Sequence, residues 1–244
     1  MQRKIISLVP SLTELLIDFG LKEQLAGRTR FCVHPKDEIK DVPIVGGTKN
    51  PRIDKIRSIR PDIIVCNKEE NRKEDIEKLS ADFEIQLTDI STIKEAISTI
   101  NSLGKKFDVK SRAAEIIGKI EESLQERPDV SPLKTIYFIW RDPWMAVGSD
   151  TYISDVMEHW SLENAFKEKT RYPVLQLEEI EDYKPDLILL SSEPYPFKEK
   201  HIPAVEQAYP EGRILLVEGE WFSWYGSHMI HSFKRLNGWR NAIS

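Results

Sequence analysis

The sequence has little cysteine and no long hydrophobic run, and each absence excludes a class of protein. Its two cysteines, Cys32 and Cys66, do not form a Cys-x-x-Cys pair. A disulfide framework is therefore not expected, and reduced thiols are typical of cytosolic proteins. No apolar run approaches the ~20 residues that a membrane-spanning helix needs. The net charge of −5 gives no reason to expect nucleic acid or an anionic membrane as a partner.

Sequence signals for export and for catalysis are missing as well. Residues 1–4 run directly into an apolar strand at Ile5–Val9, with no apolar leader and no cleavage site. This predicts a cytoplasmic location, or a periplasmic or cell-surface one if a leader has been removed. The sequence contains no P-loop, no Gly-x-Ser-x-Gly, no His-Glu-x-x-His and no carboxylate pair with an assignable partner. We therefore expect a protein that is not an enzyme and has no intrinsic cofactor.

The fold class follows from one long amphipathic segment and the similar segments on either side of it. Asp108–Pro128 carries apolar residues at helical spacing, which predicts a helix of roughly 27 Å at ~1.5 Å per residue. Arg60-Pro61-Asp62 precedes this segment and Lys184-Pro185-Asp186 follows it, and each leads into an apolar strand. Strands alternate with helices throughout, which favours parallel sheets flanked by helices. The sequence predicts an α/β protein with an N-terminal lobe (1–107), a linker helix (108–128), a C-terminal lobe (129–244) and a ligand cleft between the lobes.

Local signals within this plan predict several element boundaries. Ser11-Leu12-Thr13-Glu14 has the pattern of a capping box, so Ser11 is expected to cap the first helix. Thr135–Trp140 and Trp144–Val147 are predicted as two strands of the second lobe, and Tyr225 to Asn237 as the closing helix.

Aromatic residues concentrate in loops of the C-terminal lobe, beyond the ends of predicted strands. Ligands of parallel α/β proteins bind at such loops. Flat aromatic side chains offer a large contact area with little loss of rotamer freedom, which suits a large, planar, partly apolar ligand. A lone tryptophan is more often core, but this cluster lies among Gly, Ser, Pro and Glu. The predicted ligand-facing residues are Trp140, Trp144, Trp221, Phe222, Trp224 and Tyr225.

Metal ligation has weaker support in the sequence. Cys32 and His34 are two residues apart in a loop, so both could reach one metal, but a zinc site needs three or four ligands. His228 and His231 are three apart on the closing helix, and surface positions are the simpler interpretation for that pair.

In order and spacing, several segments resemble the substrate-binding proteins of cobalamin and iron-chelate ABC importers. They are Ile6–Glu14, Val45–Thr48, Ile53–Ile56 before Arg60–Ile64, the long linker helix, Trp140 with Gly148, and Leu162–Asn164. Together they cover essentially the whole chain. The resemblance implies a bilobed fold with a rigid helical hinge and a ligand that is a corrinoid, a tetrapyrrole or an iron-siderophore type of metal chelate. The aromatic residues make the chain look most similar to the cobalamin binders.

The resemblance also implies residue roles. Phe31 and the Ser11 helix start would face the aromatic wall, Ser11 and Lys49 would donate to polar side groups of the ligand, and His34 or Cys32 would be an axial contact to its metal. Members of this family dock on an ABC permease through a glutamate on each lobe. The candidates here are Glu74, which stands beside Lys73 at the matching position, and Glu199. A monomer is expected.

Two other functions stay open at this point. One is a cytoplasmic tetrapyrrole chelatase or cofactor-trafficking protein, which needs a histidine and an acid at the metal, with His34 and Glu69 or Glu70 as candidates. The other is a receptor for free zinc or manganese, in which several His and Asp side chains would converge. The aromatic cluster argues against the second.

Overall fold

The computed structural model describes residues 3–244, which form two compact units. Unit 1 comprises the chain up to Ile90, Lys94–Lys119 and Tyr225–His228. Unit 2 comprises Ser91–Ile93, Ile120–Trp224 and Met229–Ser244. The boundary at Lys119 lies within the helix that the sequence predicts as a linker, so both units share that helix. Within residues 3–244, every helix is too short or too polar to cross a membrane.

Unit 1 is built on a four-stranded sheet in the order β2-β1-β3-β4, and each strand is parallel to its neighbours. The strands are β1 (Ile5–Ser7), β2 (Leu25–Arg28), β3 (Ile63–Asn67) and β4 (Glu84–Thr88). The helices around it are α1 (Pro10–Asp18), α2 (Ile53–Ile59), α3 (Lys73–Ser80), α4 (Ile93–Lys106) and the first part of α5 (Lys110–Gln125). Every residue of β1 and β3 is buried, as expected for central strands covered on both faces.

Unit 2 repeats this architecture with a hairpin added at one edge. Its sheet has the order β6-β5-β8-β9, and β7 also pairs with β5. Only β6 is antiparallel to its neighbour in this sheet. The strands are β5 (Leu133–Trp140), β6 (Met145–Ala146), β7 (Leu162–Asn164), β8 (Leu187–Ser191) and β9 (Arg213–Val217). The helices are α6 (Tyr152–His159), α7 (Ile180–Tyr183), α8 (Ile202–Ala208), α9 (Glu220–Ser223) and α10 (His228–Ala242).

The related plan of the two units is visible in one repeated hydrogen-bonding arrangement. Arg60 ends α2 and Lys184 ends α7, both with left-handed backbone, at φ 53° and 44°. The aspartate two residues later then accepts a backbone N–H at the start of the first strand of its own sheet: Lys4 directly precedes β1, and Lys134 is the second residue of β5. Asp62 Oδ2 lies 2.6 Å from the Lys4 nitrogen, and Asp186 Oδ2 lies 2.8 Å from the Lys134 nitrogen. The two Pro-Asp segments therefore start their strands in the same way.

Two local predictions are wrong. Helix α1 begins at Pro10 with Val9 as its N-cap and has no side-chain cap, so the predicted capping box at Ser11 does not form. Proline needs no N–H partner at the first helical position, which explains the earlier start. The predicted strand at Trp144–Val147 is reduced to two residues, because its pairing with β5 covers only the end of that strand.

Candidate functional site

In unit 1, the carboxyl ends of β1 and β3 form the point where the strand order reverses. The connection after β1 leads to β2 on one side, and the connection after β3 leads to β4 on the other. Parallel α/β sheets bind ligands at such a crevice. The start of α1 lies here, with Ser11 in its first turn and buried. Backbone N–H groups at a helix N-terminus attract negatively polarised groups.

Two asparagines that the sequence analysis did not single out hold this crevice in shape. The buried Asn71 amide donates to the carbonyl oxygens of Leu8 (3.2 Å) and Thr48 (3.1 Å), so it ties the β1 loop to the glycine turn. Asn67 Oδ1 accepts the backbone N–H of Glu69 at 2.8 Å. Since buried polar groups are rarely left unpaired, these amides fix the loops that surround the crevice.

Lys49 brings a positive charge to the same loops. Its side chain is mostly exposed, and its Nζ donates to the backbone carbonyl of Glu69. This contact joins the glycine turn to the loop after β3. The structure therefore brings Ser11 and Lys49, both predicted ligand contacts, to loops that Asn71 ties together.

Phe31 forms an exposed apolar surface at the end of β2. Its side chain is 51% exposed, and the Arg30 guanidinium carbon lies 5.3 Å from its ring centroid. Gly47 makes room for this pair: a Cβ there would lie 3.3 Å from both the Phe31 ring and Arg30 Nη2, and 2.3 Å from Asn50 Oδ1. Phe31 thus lies in a loop with about half of its side chain exposed, and its contact with a ligand stays a prediction.

Cys32 is placed differently from the prediction. Its side chain has no exposed surface, and its Sγ lies 3.1 Å from Thr13 Oγ1 and 3.2 Å from Thr29 Oγ1. Burial raises the pKa of this thiol. A neutral, enclosed thiol is a poor metal ligand, because the thiolate is the form that binds. The geometry gives no support to an axial role for Cys32.

His34 lies beside a second histidine that comes from the far end of the sequence. The ring centroids of His34 and His228 are 5.7 Å apart, and His228 Nδ1 lies 2.9 Å from Glu14 Oε2. His228 and Glu14 are mostly buried in this contact. Within residues 3–244 no group of three or more His, Cys, Asp or Glu side chains is arranged to hold a metal ion. The receptor for free zinc or manganese therefore has no ligand set in the described chain.

In unit 2, the β5–β6 hairpin presents aromatic side chains at the carboxyl end of the sheet. Trp140 pairs with Met145 across the hairpin and is 40% exposed. Its ring meets Tyr195 edge-on at 5.7 Å, and Trp144 stacks on Phe197 at 5.5 Å with 19° between the planes. Tyr195 and Phe197 also contact each other at 4.8 Å. We call Trp140, Trp144 and Tyr195 the aromatic surface of unit 2; Phe197 is only 4% exposed and packs against them from the core.

His201 packs edge-on against Tyr195 and Phe197. Its Nδ1 accepts the Lys198 backbone N–H at 2.9 Å, so the neutral ring carries its proton on Nε2, which lies 3.4 Å from the Tyr195 hydroxyl. Burial lowers the pKa of His201, and the nearby charges of Lys200 and Arg141 lower it further. A neutral imidazole can therefore donate to Tyr195 at physiological pH.

Phe222, Trp224 and Tyr225 are buried rather than presented to solvent. Phe222 packs edge-on against Tyr137 at 5.1 Å. Trp224 Nε1 donates to Glu193 Oε1 at 3.1 Å, and the Ser223 hydroxyl donates to the same oxygen. These positions leave the three side chains little surface for a ligand, whereas Trp221 on α9 is half-buried.

Sequence reasoning missed Tyr195, which completes the aromatic surface, and Phe197, which packs against that surface from the core. They follow β8 in the loop Ser191–Phe197, which the sequence marks only as polar and acidic. The sequence did offer one signal for them: both are aromatic and directly follow β8, a predicted strand of the same sheet. The separation of about fifty residues from Trp140 hides the contact from any local pattern.

The two glutamates predicted for permease docking are both exposed and similarly placed. Glu74 lies in the first turn of α3, after β3. Glu199 begins the short 3-10 turn before α8, after β8. Each therefore follows a buried central strand of its own unit.

Two α/β units, each built on a mainly parallel sheet, define the structural class of this protein. Comparison with known proteins specifies the class further. The family model described as periplasmic binding protein matches residues 5–212, so the chain belongs to that family. This confirms the family resemblance and the α/β fold class predicted from the sequence, with parallel strands flanked by helices in both units.

Curated relatives are distant in sequence. An uncharacterised ABC transporter substrate-binding lipoprotein of Bacillus subtilis is 24% identical over 77% of this chain. The chain spans 63% of that relative's length, less than two thirds. A vitamin B12-binding protein of Vibrio campbellii is 24% identical over 78% of this chain and 70% of its own length. A vitamin B12-binding protein of Pectobacterium carotovorum is 22% identical over 99% and 90%.

Solved structures share the fold over nearly the whole chain. The periplasmic vitamin B12 binding protein of Vibrio cholerae has a TM-score of 0.82 at 18% identity, covering 98% of this chain and 97% of its own. A periplasmic heme binding protein from Pseudomonas aeruginosa has a TM-score of 0.84 at 16% identity, covering 100% and 94%. The similar proteins are substrate-binding proteins, which confirms the prediction that this chain is not an enzyme. The chelatase alternative is not favoured.

Proposed function

We propose that this chain is a solute-binding protein for a corrinoid such as cobalamin, or for a related metal chelate such as haem, and that it serves an ABC importer. One structural observation carries the proposal most directly: Trp140 is 40% exposed at the carboxyl end of β5 and lies edge-on to Tyr195. Large exposed aromatic side chains at strand ends are ligand-binding surface rather than core.

The remaining support comes from unit 1 and from the relatives. Phe31 supplies a second exposed aromatic side chain, and Lys49 and the start of α1 supply donors for polar side groups. Relatives named as vitamin B12-binding proteins match up to 99% of the chain. Similar solved structures are named as vitamin B12 or heme binding proteins. Both are large planar macrocycles that hold a metal, and the aromatic surface of unit 2 suits that shape.

Tryptophan emission tests the proposal, because all six tryptophans belong to unit 2. Purified protein would be titrated with hydroxocobalamin, hemin and a ferric siderophore in turn. We expect saturable quenching by at least one of these chelates, and hydroxocobalamin is the one we expect to bind. Trp140→Ala should weaken binding about 5- to 150-fold, since losing one aromatic stacking partner costs about 1–3 kcal/mol.

A matched control separates loss of the ligand surface from loss of apolar area. Leu216→Ala removes an exposed apolar side chain from β9 in the same unit and should leave affinity unchanged. The corrinoid assignment fails if hydroxocobalamin gives no quenching up to millimolar concentration. The proposal as a whole fails if none of the three chelates binds.

Docking on a permease is the second part of the proposal, with Glu74 and Glu199 as the contact residues. Exposed carboxylates on both units are suited to arginines of a partner, and charge pairs of this kind set the association rate. Glu74→Lys and Glu199→Lys should reduce the stimulation of ATP hydrolysis by a candidate ABC permease in liposomes. Glu77→Lys on the same helix is the control. Equal stimulation by all three variants would contradict this assignment.

The cytoplasmic location and the monomeric state expected from the sequence stay predictions. Cell fractionation with an antibody to the chain tests the first. Light scattering during size-exclusion chromatography tests the second, with a mass of 28.3 kDa expected for the monomer.

A further inference from the structure

Two buried arginines of this protein, Arg28 and Arg240, donate hydrogen bonds to backbone carbonyl oxygens. Arg28 donates from Nε to the Ile39 carbonyl at 3.0 Å, and from Nη1 to the carbonyls of Thr29 and Cys32. Arg240 donates from Nε to the Trp160 carbonyl at 2.9 Å, and from Nη2 to two further carbonyls. Each therefore donates to several backbone oxygens, which compensates for burying its charge, although Arg240 Nη1 has no hydrogen-bond partner among the described residues.

Arg141 is different. It stands at the tip of the β5–β6 hairpin, directly after Trp140, and its guanidinium carbon lies 5.8 Å from the Trp144 ring centroid. Its Nε is buried and donates no hydrogen bond to any described residue. Its acidic neighbour is Asp142, with Oδ2 at 3.6 Å from Nε and a side chain that is 81% exposed. An ion pair this exposed contributes little to stability.

From this contrast we infer that Arg141 is a specificity-determining residue, which binds an anionic group on the edge of the ligand. The inference rests on the proposed function and narrows its ligand class to chelates that carry a free peripheral carboxylate or phosphate. The guanidinium lies near the Trp144 ring, and Arg141 directly follows Trp140 in the chain. A planar ligand lying on the aromatic surface of unit 2 would therefore bring its edge to Arg141.

The chemistry of the guanidinium fits this role. Arginine is always charged, is weakly hydrated and offers donors in a planar fork that matches a carboxylate or a phosphate. The cation–π contact with Trp144 uses the charge of the guanidinium and not its N–H donors, which could bind such a group. A lysine would supply the charge without the fork.

Matched acid and neutral probes test the inference. The first pair is a cyanocobalamin monocarboxylic acid, in which one peripheral amide is hydrolysed, and cyanocobalamin itself. The second pair is hemin and its dimethyl ester. Wild type, Arg141→Gln, Arg141→Lys and Lys200→Gln would be titrated by tryptophan emission. Lys200 is an exposed cation near His201, so Lys200→Gln controls for loss of charge alone.

We expect wild type to bind the acid member of at least one pair about tenfold more tightly than the neutral member, the factor that corresponds to 1.4 kcal/mol. Arg141→Gln should abolish that preference and leave the neutral affinity unchanged. Arg141→Lys should keep part of it, and Lys200→Gln all of it. Unchanged urea unfolding of Arg141→Gln, followed by tryptophan emission, would show that unit 2 is still folded.

Three results would overturn the inference while the proposed function stands. Wild type could bind both members of each pair equally; Arg141→Gln could weaken both members to the same extent; or Lys200→Gln could match Arg141→Gln. If wild type binds none of the four probes, the inference fails. The ferric siderophore titration of wild type then decides the proposed function, which stands if the siderophore binds and fails if it does not.

Discussion

The contact between Glu193 and Trp224 offers a sharp test of how unit 2 positions its aromatic surface. Glu193 Oε1 accepts hydrogen bonds from Trp224 Nε1, at 3.1 Å, and from the Ser223 hydroxyl. Gly219 also lies against this side chain, since a Cβ there would be 2.4 Å from Glu193 Cγ. Glu193 is two residues before Tyr195, so it holds the loop that carries one member of the aromatic surface.

The expected cost of removing the carboxylate follows from these contacts. A hydrogen bond to a charged group contributes about 1.5–3 kcal/mol, and a buried donor left unpaired costs about 1–3 kcal/mol. We therefore expect Glu193→Ala to lower the free energy of unfolding of unit 2 by about 2–4 kcal/mol. Glu193→Gln keeps an acceptor oxygen and should cost about half as much. Trp224→Phe removes only the N–H donor and should cost about 1–2 kcal/mol.

Urea unfolding followed by tryptophan emission measures these values. The emission reports on unit 2 alone, because unit 1 contains no tryptophan. In a double-mutant cycle, Glu193→Ala and Trp224→Phe should be coupled by about 1–2 kcal/mol. Additive effects, or a cost for Glu193→Ala below about 0.5 kcal/mol, would refute this account of the loop.

Three further predictions concern other parts of the molecule. The pKa of His201 is lowered in the folded state, so the unfolded chain binds more protons as the pH falls below about 6.5. Wild type should therefore lose stability below that pH, and His201→Asn should lose less. Thermal melts between pH 8 and 5 would measure both. Asn71→Ala leaves the Leu8 and Thr48 carbonyls without their shared donor and should lower the free energy of unfolding of unit 1 by about 1–3 kcal/mol. Urea unfolding followed by far-UV circular dichroism measures this cost. Ser80→Ala on the exposed side of α3 is the control, and an equal cost for both variants would contradict the assignment. Cys32 and Cys66 are both buried, and burial raises the pKa of both thiols, that of Cys66 to about 12. Neither thiol should therefore react with a disulfide reagent at pH 8 until urea is added. Rapid labelling of the native protein would contradict this and show that the Cys32 loop opens.

The arrangement of strands and helices could be predicted from the sequence because its signals are local. Ile63–Asn67 and Leu187–Ser191 are short apolar runs that each follow a Pro-Asp pair, and both became fully buried central strands. The capping pattern at Ser11 failed for an equally local reason: Pro10 is compatible with the first helical turn, so the helix starts one residue before the expected cap.

The candidate site could be predicted only in part, because exposure depends on contacts that are distant in sequence. Trp140 and Trp224 look alike as loop tryptophans, yet one is 40% exposed and the other 8%. Trp224 also has a buried polar partner that no local pattern shows: Glu193, 31 residues away, accepts its indole N–H. Tyr195 reaches Trp140 in the same way, through the pairing of β5 with β8. Periodicity and composition contain no information about such pairs.

Equilibrium dialysis of the purified protein against hydroxocobalamin tests the central claim most directly. The account predicts saturable retention of one corrinoid per chain at micromolar ligand, reduced in Trp140→Ala and unchanged in Leu216→Ala. Retention that does not saturate, or none up to millimolar hydroxocobalamin, would contradict the claim that this chain binds a corrinoid.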